Sequence, residues 1–179
     1  MTTRREQTSG ESRELILNAA AELFAERGYR QTTFADVAER SGISRGSIPW
    51  HFGSKEGLLL AVLERSVDRL RAGMPQEAGI EGLGALFTQP TTRLFVTLLV
   101  EALEPDSPIQ SRYVEIHTTL RDHCRRWLER QPLPPGVSAE ALAVAIVGAG
   151  IGVHLQWLLA PDRVDPQEAL VALRGVMGI

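Results

Sequence analysis

The sequence predicts an all-α protein of two domains: an N-terminal three-helix domain built on a helix-turn-helix, then a larger helical domain. Three observations carry this. Apolar residues recur at helical spacing through most of the 179 residues, and no alternating strand pattern competes with them. Helix-capping signals punctuate those runs. The segment from Thr33 to Leu58, TFADVAERSGISRGSIPWHFGSKEGL, fits two short helices on a glycine-containing turn into a small space. A chain of this length can bury a core in each domain.

The polar start, MTTRREQTSGES, reads as a disordered arm over residues 1–11 and has no apolar core of a signal peptide. The first helix is expected from near Ser12, with Ile16, Ala19, Ala20, Leu23 and Phe24 as its buried stripe and Gly28 stopping it at C′. Thr33 and Asp36 form a capping box for the second helix, which carries Phe34, Val37 and Ala38 and ends at Ser41-Gly42. Ile43 fills the turn. Ser44 is expected to cap a further short helix through Arg45, Gly46, Ser47, Ile48, Pro49, Trp50 and His51. Because Pro49 has no N–H, that helix should be short, or 3₁₀-like near Arg45 to Pro49. Ser54 caps a fourth helix over 54–72, connecting a first domain at 12–55 to a second at 56–179, and Gly73 and Pro75 break it.

In the second domain helical patterning resumes at Leu83 to Phe87, is interrupted by Pro90, and continues from Thr92 to Ala102. Pro105 and Pro108 close that stretch. A helix from about Ser107 to Arg130 places Tyr113, Ile116, His117, Leu120, Cys124, Trp127 and Leu128 on one apolar arc, with His123 at its edge. Ser138 caps a long helix to Leu159, and Asp165 with Pro166 at N1 starts the last, to Met177. The apolar run Ala141 to Val153 is shorter than the ~20 residues of a membrane span. With a lone cysteine, Cys124, a reducing, cytoplasmic setting is expected.

The formal charge of −3 is unevenly placed: through Lys55 there are eight Lys and Arg against seven Asp and Glu, and beyond it eleven against fifteen. Acidity therefore belongs to the second domain. In the first, Arg4, Arg5, Arg13, Arg30, Arg45 and Lys55, the only lysine, can gather on one face suited to phosphates. The second helix of a helix-turn-helix enters the major groove, where arginine bonds bidentately to guanine and serine or histidine reaches base edges. Asp122, His123 and Cys124 are adjacent on a helix and point apart, so they make neither a metal site nor a nucleophile with its base. Gly148, Gly150 and Gly152 follow no strand and are no dinucleotide fingerprint; small residues four apart instead let another helix approach closely.

From Ile16 to Val62 the chain, ILNAAAELFAERGYRQTTFADVAERSGISRGSIPWHFGSKEGLLLAV, closely resembles the TetR family of transcriptional regulators. The Ala-Ala, Leu-Phe, Gly-Tyr, Thr-Thr, Ile-Ser-x-Gly-Ser, His-Phe and Ser-Lys-Glu elements all fall in register. The resemblance implies a homodimeric DNA-binding repressor whose C-terminal helices bind a small molecule and dimerise. It implies phosphate contacts from Thr33, Ser44 and Lys55 and a groove-facing set of Arg45, Ser47, Trp50 and His51. Most members have Tyr where this chain has Pro49, which leaves open whether the phosphate contact attributed to that Tyr is lost here or replaced by the Trp50 indole N–H.

The expected partners are thus operator DNA, a second copy of the chain and a small-molecule effector, with no cofactor, metal, catalytic residue or membrane. A mostly apolar effector pocket is expected between Phe95, Leu98, Leu99 and Ala102 on one helix and Tyr113, Ile116, His117, Leu120 and Trp127 on the next. The dimer interface is expected from Gly148, Gly152, Leu155, Leu158, Leu170 and Leu173, extended by Trp157. Two rival readings are a ligand-independent DNA-binding protein and an enzyme with an appended DNA-binding domain. The second is disfavoured because no acid, base and nucleophile cluster at usable spacing.

Overall fold

A computed structural model describes residues 4–73 and 90–178. The expected helical turn at Leu83 to Phe87 lies outside those residues. The described residues form helices α1 (Arg4–Arg27), α2 (Phe34–Ser41), α3 (Ser47–Phe52), α4 (Lys55–Gly73), α5 (Pro90–Thr97), α6 (Leu99–Ala102), α7 (Gln110–Leu128), α8 (Ala139–Leu159) and α9 (Pro166–Met177). The chain divides into two compact units, Met1–Ser66 and Val67–Ile179, so the first takes in most of α4.

In the first unit, Ile16, Ala19, Ala20, Leu23 and Phe24 are buried as the periodicity predicts, joined by Leu17, Val37, Ile48, Leu58, Leu59, Val62 and Leu63. Gly28 ends α1 at φ +87°, its N–H reaching the Phe24 carbonyl at 3.0 Å. The start differs from expectation. Residues 4–11 are helical rather than a disordered arm, because Arg4-Arg5-Glu6-Gln7 are good helix formers and extend a helix that the core already nucleates.

The Thr33 to Asp36 capping box forms as read: the Thr33 hydroxyl accepts from the Asp36 N–H at 3.3 Å, and the Asp36 carboxylate accepts from the Thr33 N–H at 2.8 Å. Ser54 caps α4 through the Gly57 N–H at 3.0 Å. Ion pairs then fix the helices to one another. Arg40 on α2 reaches Glu22 and Glu26 on α1 at 3.2 and 3.0 Å, and Arg65 on α4 reaches Glu14, Asn18 and the Leu17 carbonyl.

In the second unit α7 packs on α8, and α8 on α9. Their shared core holds Cys124, Trp127 and Leu128 of α7, Ala143, Ile146 and Val147 of α8, and Leu170 of α9. The Ser138 and Asp165 caps form, with Ser138 accepting from the Ala141 N–H and Asp165 from the Gln167 and Glu168 N–H groups. The helix expected from Thr92 to Ala102 is broken into α5 and α6 at Leu98, and the helix expected from Ser107 starts at Gln110. Pro108 explains the latter, since it biases Ser107 away from helical backbone. Counted from its cap, α8 is 21 residues long and, by length and composition, sufficient to cross a membrane; the apolar run read from sequence understated it.

Candidate functional site

The recognition helix α3 is short for a reason visible in its hydrogen bonds. Had it begun at Arg45 with Ser44 as cap, Pro49 would owe an N–H to the Arg45 carbonyl, and proline has none. Instead the Ile48 N–H takes that carbonyl at 3.4 Å, and the Ser47 N–H takes that of Ser44 at 3.0 Å, giving one tight turn before the helix. Gly46, not Ser44, is the N-cap, and the Ser44 hydroxyl pairs with that of Ser47 at 2.7 Å. Starting at Ser47 puts Pro49 in the first turn, where no helical N–H is required.

Ile48 is fully buried and anchors α3 in the core, while Trp50 is 74% exposed. Arg45, Pro49 and Trp50 face solvent, and Ser47 and His51 are half-buried. The His51 ring lies edge-on to Trp50 at 4.7 Å between centroids. Partial burial, with the Arg13 charge nearby, holds His51 below the usual imidazole range, which favours its neutral form.

Lys55 is tied down by the loop after α1. Its ammonium donates to the Arg30 carbonyl at 3.0 Å and sits 4.6 Å from the centre of the Tyr29 ring, which stands nearly perpendicular to the buried Phe24 ring at 5.4 Å. Two of its three donors remain for another acceptor. The Thr33 hydroxyl also donates to Asp36, at 2.6 Å, so this side chain is engaged within the protein. Sequence reasoning missed Gly57. A side chain there would collide with the carbonyl oxygen of Phe52, so the end of α3 and the start of α4 approach too closely for any residue but glycine.

In the second unit, Tyr113 and Phe95 meet: the phenol donates to the Phe95 carbonyl at 2.6 Å and the rings stand edge-to-face at 6.1 Å. Burial, with Glu101 nearby, pushes the Tyr113 phenol well above its ordinary range. His117 is half-buried beside it at 6.3 Å, and burial lowers its pKa. Leu98, Ala102 and Ile116 are buried, and Leu99 is half-buried. Two expected pocket residues lie elsewhere. Trp127 belongs to the core shared with α8 and α9, and Leu120 packs against that core, because a helix turns about 100° per residue and the arc drifts from one neighbour to the next.

Of the expected interface residues, Leu155 and Gly148 are exposed, and Gly152, Leu158, Leu173 and Trp157 are half-buried. A Cβ added at Gly148 or Gly152 would meet nothing within 4 Å, so no helix among the described residues occupies the space above them. Leu170 is a correction. It is 1% exposed and fills its own unit's core, leaving its neighbours on α9, Val171 and Val176, outward.

Two helices joined by a glycine turn, a buried anchor and an exposed Trp on the second helix, with an exposed Arg in the turn just before it, define a helix-turn-helix protein that reads DNA. Comparison with known proteins makes this specific. Residues 16–62 match the family described as bacterial regulatory proteins, tetR family. The chain is 29% identical to the HTH-type transcriptional regulator TtgR of Pseudomonas putida, across 92% of this chain and 89% of that protein. It also superposes on the solved structure reported as "Molecular basis for control of antibiotic production by a bacterial hormones" with a TM-score of 0.75, at 33% identity, over 93% of this chain and 95% of that one. Against TylP, a TetR regulator from Streptomyces fradiae, the TM-score is 0.70 at 28% identity, over 97% and 80%. The chain belongs to the TetR family and is a DNA-binding transcriptional regulator.

Proposed function

We propose that the chain is a homodimeric repressor, acting in the bacterial cytoplasm, that a small and mostly apolar effector releases from its operator. The observation that supports dimerisation most directly is the outer face of α8 and α9. Val144, Leu155 and Leu159 on one helix and Val171 and Val176 on the other are exposed, with Gly148 open between them. An apolar face of this kind needs a cover, and a second copy supplies one with the same surface.

On the DNA side the reading assigns Arg45, Ser47, Trp50 and His51 to the groove and Thr33, Ser44 and Lys55 to phosphates. Arg45 and Arg30 support it, because among the described residues neither guanidinium has a carboxylate partner, whereas Arg27, Arg40 and Arg65 are spent on ion pairs. On the effector side, Phe95, Leu98, Leu99, Ala102, Tyr113, Ile116 and His117 form the candidate lining. A ligand acceptor that took the Tyr113 proton would break the bond to Phe95 and so couple occupancy to the position of α5. A ligand that did not distinguish two states of the dimer would shift nothing.

The experiment is DNA release under a panel of apolar metabolites, with Tyr113→Phe and His117→Phe beside the wild type. Release that weakens in either variant supports the assignment. Normal release in both removes these two residues from the effector site, and no release of wild type by any compound favours a ligand-independent regulator.

A further inference from the structure

The arginines of the first unit differ in what holds them. Arg27, Arg40 and Arg65 hydrogen-bond to carboxylates, but Arg13 does not: the nearest, that of Glu14, is 3.8 Å away, and its other oxygen serves Arg65 at 3.3 Å. The Arg13 guanidinium instead lies over the ring of Phe52, with Cζ 5.4 Å from the centroid. A cation–π contact of this kind holds the guanidinium near the ring without using any of its N–H donors. Phe52 is the last residue of α3, directly after Trp50 and His51, and the side chain of Arg13 is 44% exposed. A cation with unspent N–H donors thus stands at the end of the recognition helix, on a different helix from every contact assigned above.

We propose that Arg13 is a phosphate clamp: its guanidinium donates to a DNA backbone phosphate beside the C-terminal end of α3, with Phe52 as its platform. Arg45, just before α3, and Arg13, over its last residue, then bracket the helix and fix its register in the groove. The assignment rests on the DNA-binding reading of α3, and adds a contact from α1.

The test needs no operator. Binding of the full-length protein to a random-sequence duplex of about 30 base pairs is measured against salt, since non-specific affinity is almost wholly electrostatic. Arg13→Gln should lower the slope of log K against log salt by about 0.9 per protomer, and the affinity about eightfold at 0.1 M salt, while Arg13→Lys keeps the slope. Arg13→Met, which retains contact with the ring, stands in should the glutamine variant not fold. An unchanged slope in the uncharged variants, or an equal loss in Arg13→Lys, would overturn the clamp. Absence of any binding by wild type would instead overturn the DNA-binding reading on which it rests.

Discussion

Gly57, at the start of α4, lies so close to Phe52, at the end of α3, that a single added methyl would overlap the Phe52 carbonyl oxygen and come within 3.3 Å of its carbon. The obstacle is backbone, which cannot rotate away as a side chain could. The same carbonyl accepts the Ser54 N–H at 2.8 Å, so this contact sets how α3 leaves the core. Gly57→Ala is therefore expected to cost about 1–3 kcal/mol, in the range of overpacked cores, and to weaken DNA binding beyond its loss of stability. Chemical denaturation alongside binding measures both; wild-type stability in the variant would show that the two helices can part without penalty.

Arg45 and Lys55 are expected to fail in different ways. Arg45 is exposed at the mouth of α3, so Arg45→Ala should cost roughly 1–3 kcal/mol against operator DNA and relax base preference. Lys55 is held by the Arg30 carbonyl and the Tyr29 ring and is assigned to phosphate, so Lys55→Ala should weaken all sequences alike. Binding to operator and scrambled duplexes across salt separates them. A uniform loss in both variants would make Arg45 a phosphate contact.

Adjacent positions on α9 should answer to different assays. Leu170→Ala removes a side chain from the core with Trp127 and Ile146, so a stability loss of about 2–5 kcal/mol is expected. Val171→Glu changes a side chain that is 60% exposed in the single chain, and should dissociate the proposed dimer while leaving the protomer folded. Sedimentation and circular dichroism read the two effects. A dimer unaffected by Val171→Glu or by Gly152→Leu would remove α8 and α9 from the interface.

Stability should fall on both sides of a neutral plateau. Burial raises the Cys124 thiol from 9.0 to about 11, so as pH rises above 9.0 the unfolded chain loses a proton that the folded chain retains, and stability declines until the folded thiol ionises. On the acid side, burial lowers the imidazoles of His117 and His154 from 6.5; the unfolded chain takes up protons first as pH drops below that value, and stability is lost there too. Denaturant midpoints across pH check this. Cys124→Ala should reduce the alkaline arm, most visibly below the pH of 10.0 at which the buried Tyr113 phenol begins to contribute in the same direction, and should leave the acid arm as it is; an alkaline arm unchanged in that variant would assign it to other groups.

The sequence by itself determined the features whose physics is local. The Thr33 to Asp36 box, the Ser54, Ser138 and Asp165 caps and the glycine stops at Gly28 and Gly42 each depend on a few consecutive residues, and they stand where the spacing placed them. The helix-turn-helix was legible for the same reason, down to the shortening of α3 by Pro49. Only the tertiary structure decided what depends on approach between distant segments. Carboxylates on α1 select which arginines are spent, and a carbonyl between α1 and α2 holds Lys55. The close passage of α3 and α4 makes Gly57 necessary. Inside and outside on α8 and α9 also waited for packing. Helix α8 is apolar on nearly every side, so its composition marks no buried face, and on α9 it was the position of α7 and α8 that drew Leu170 inward and left Val171 to solvent.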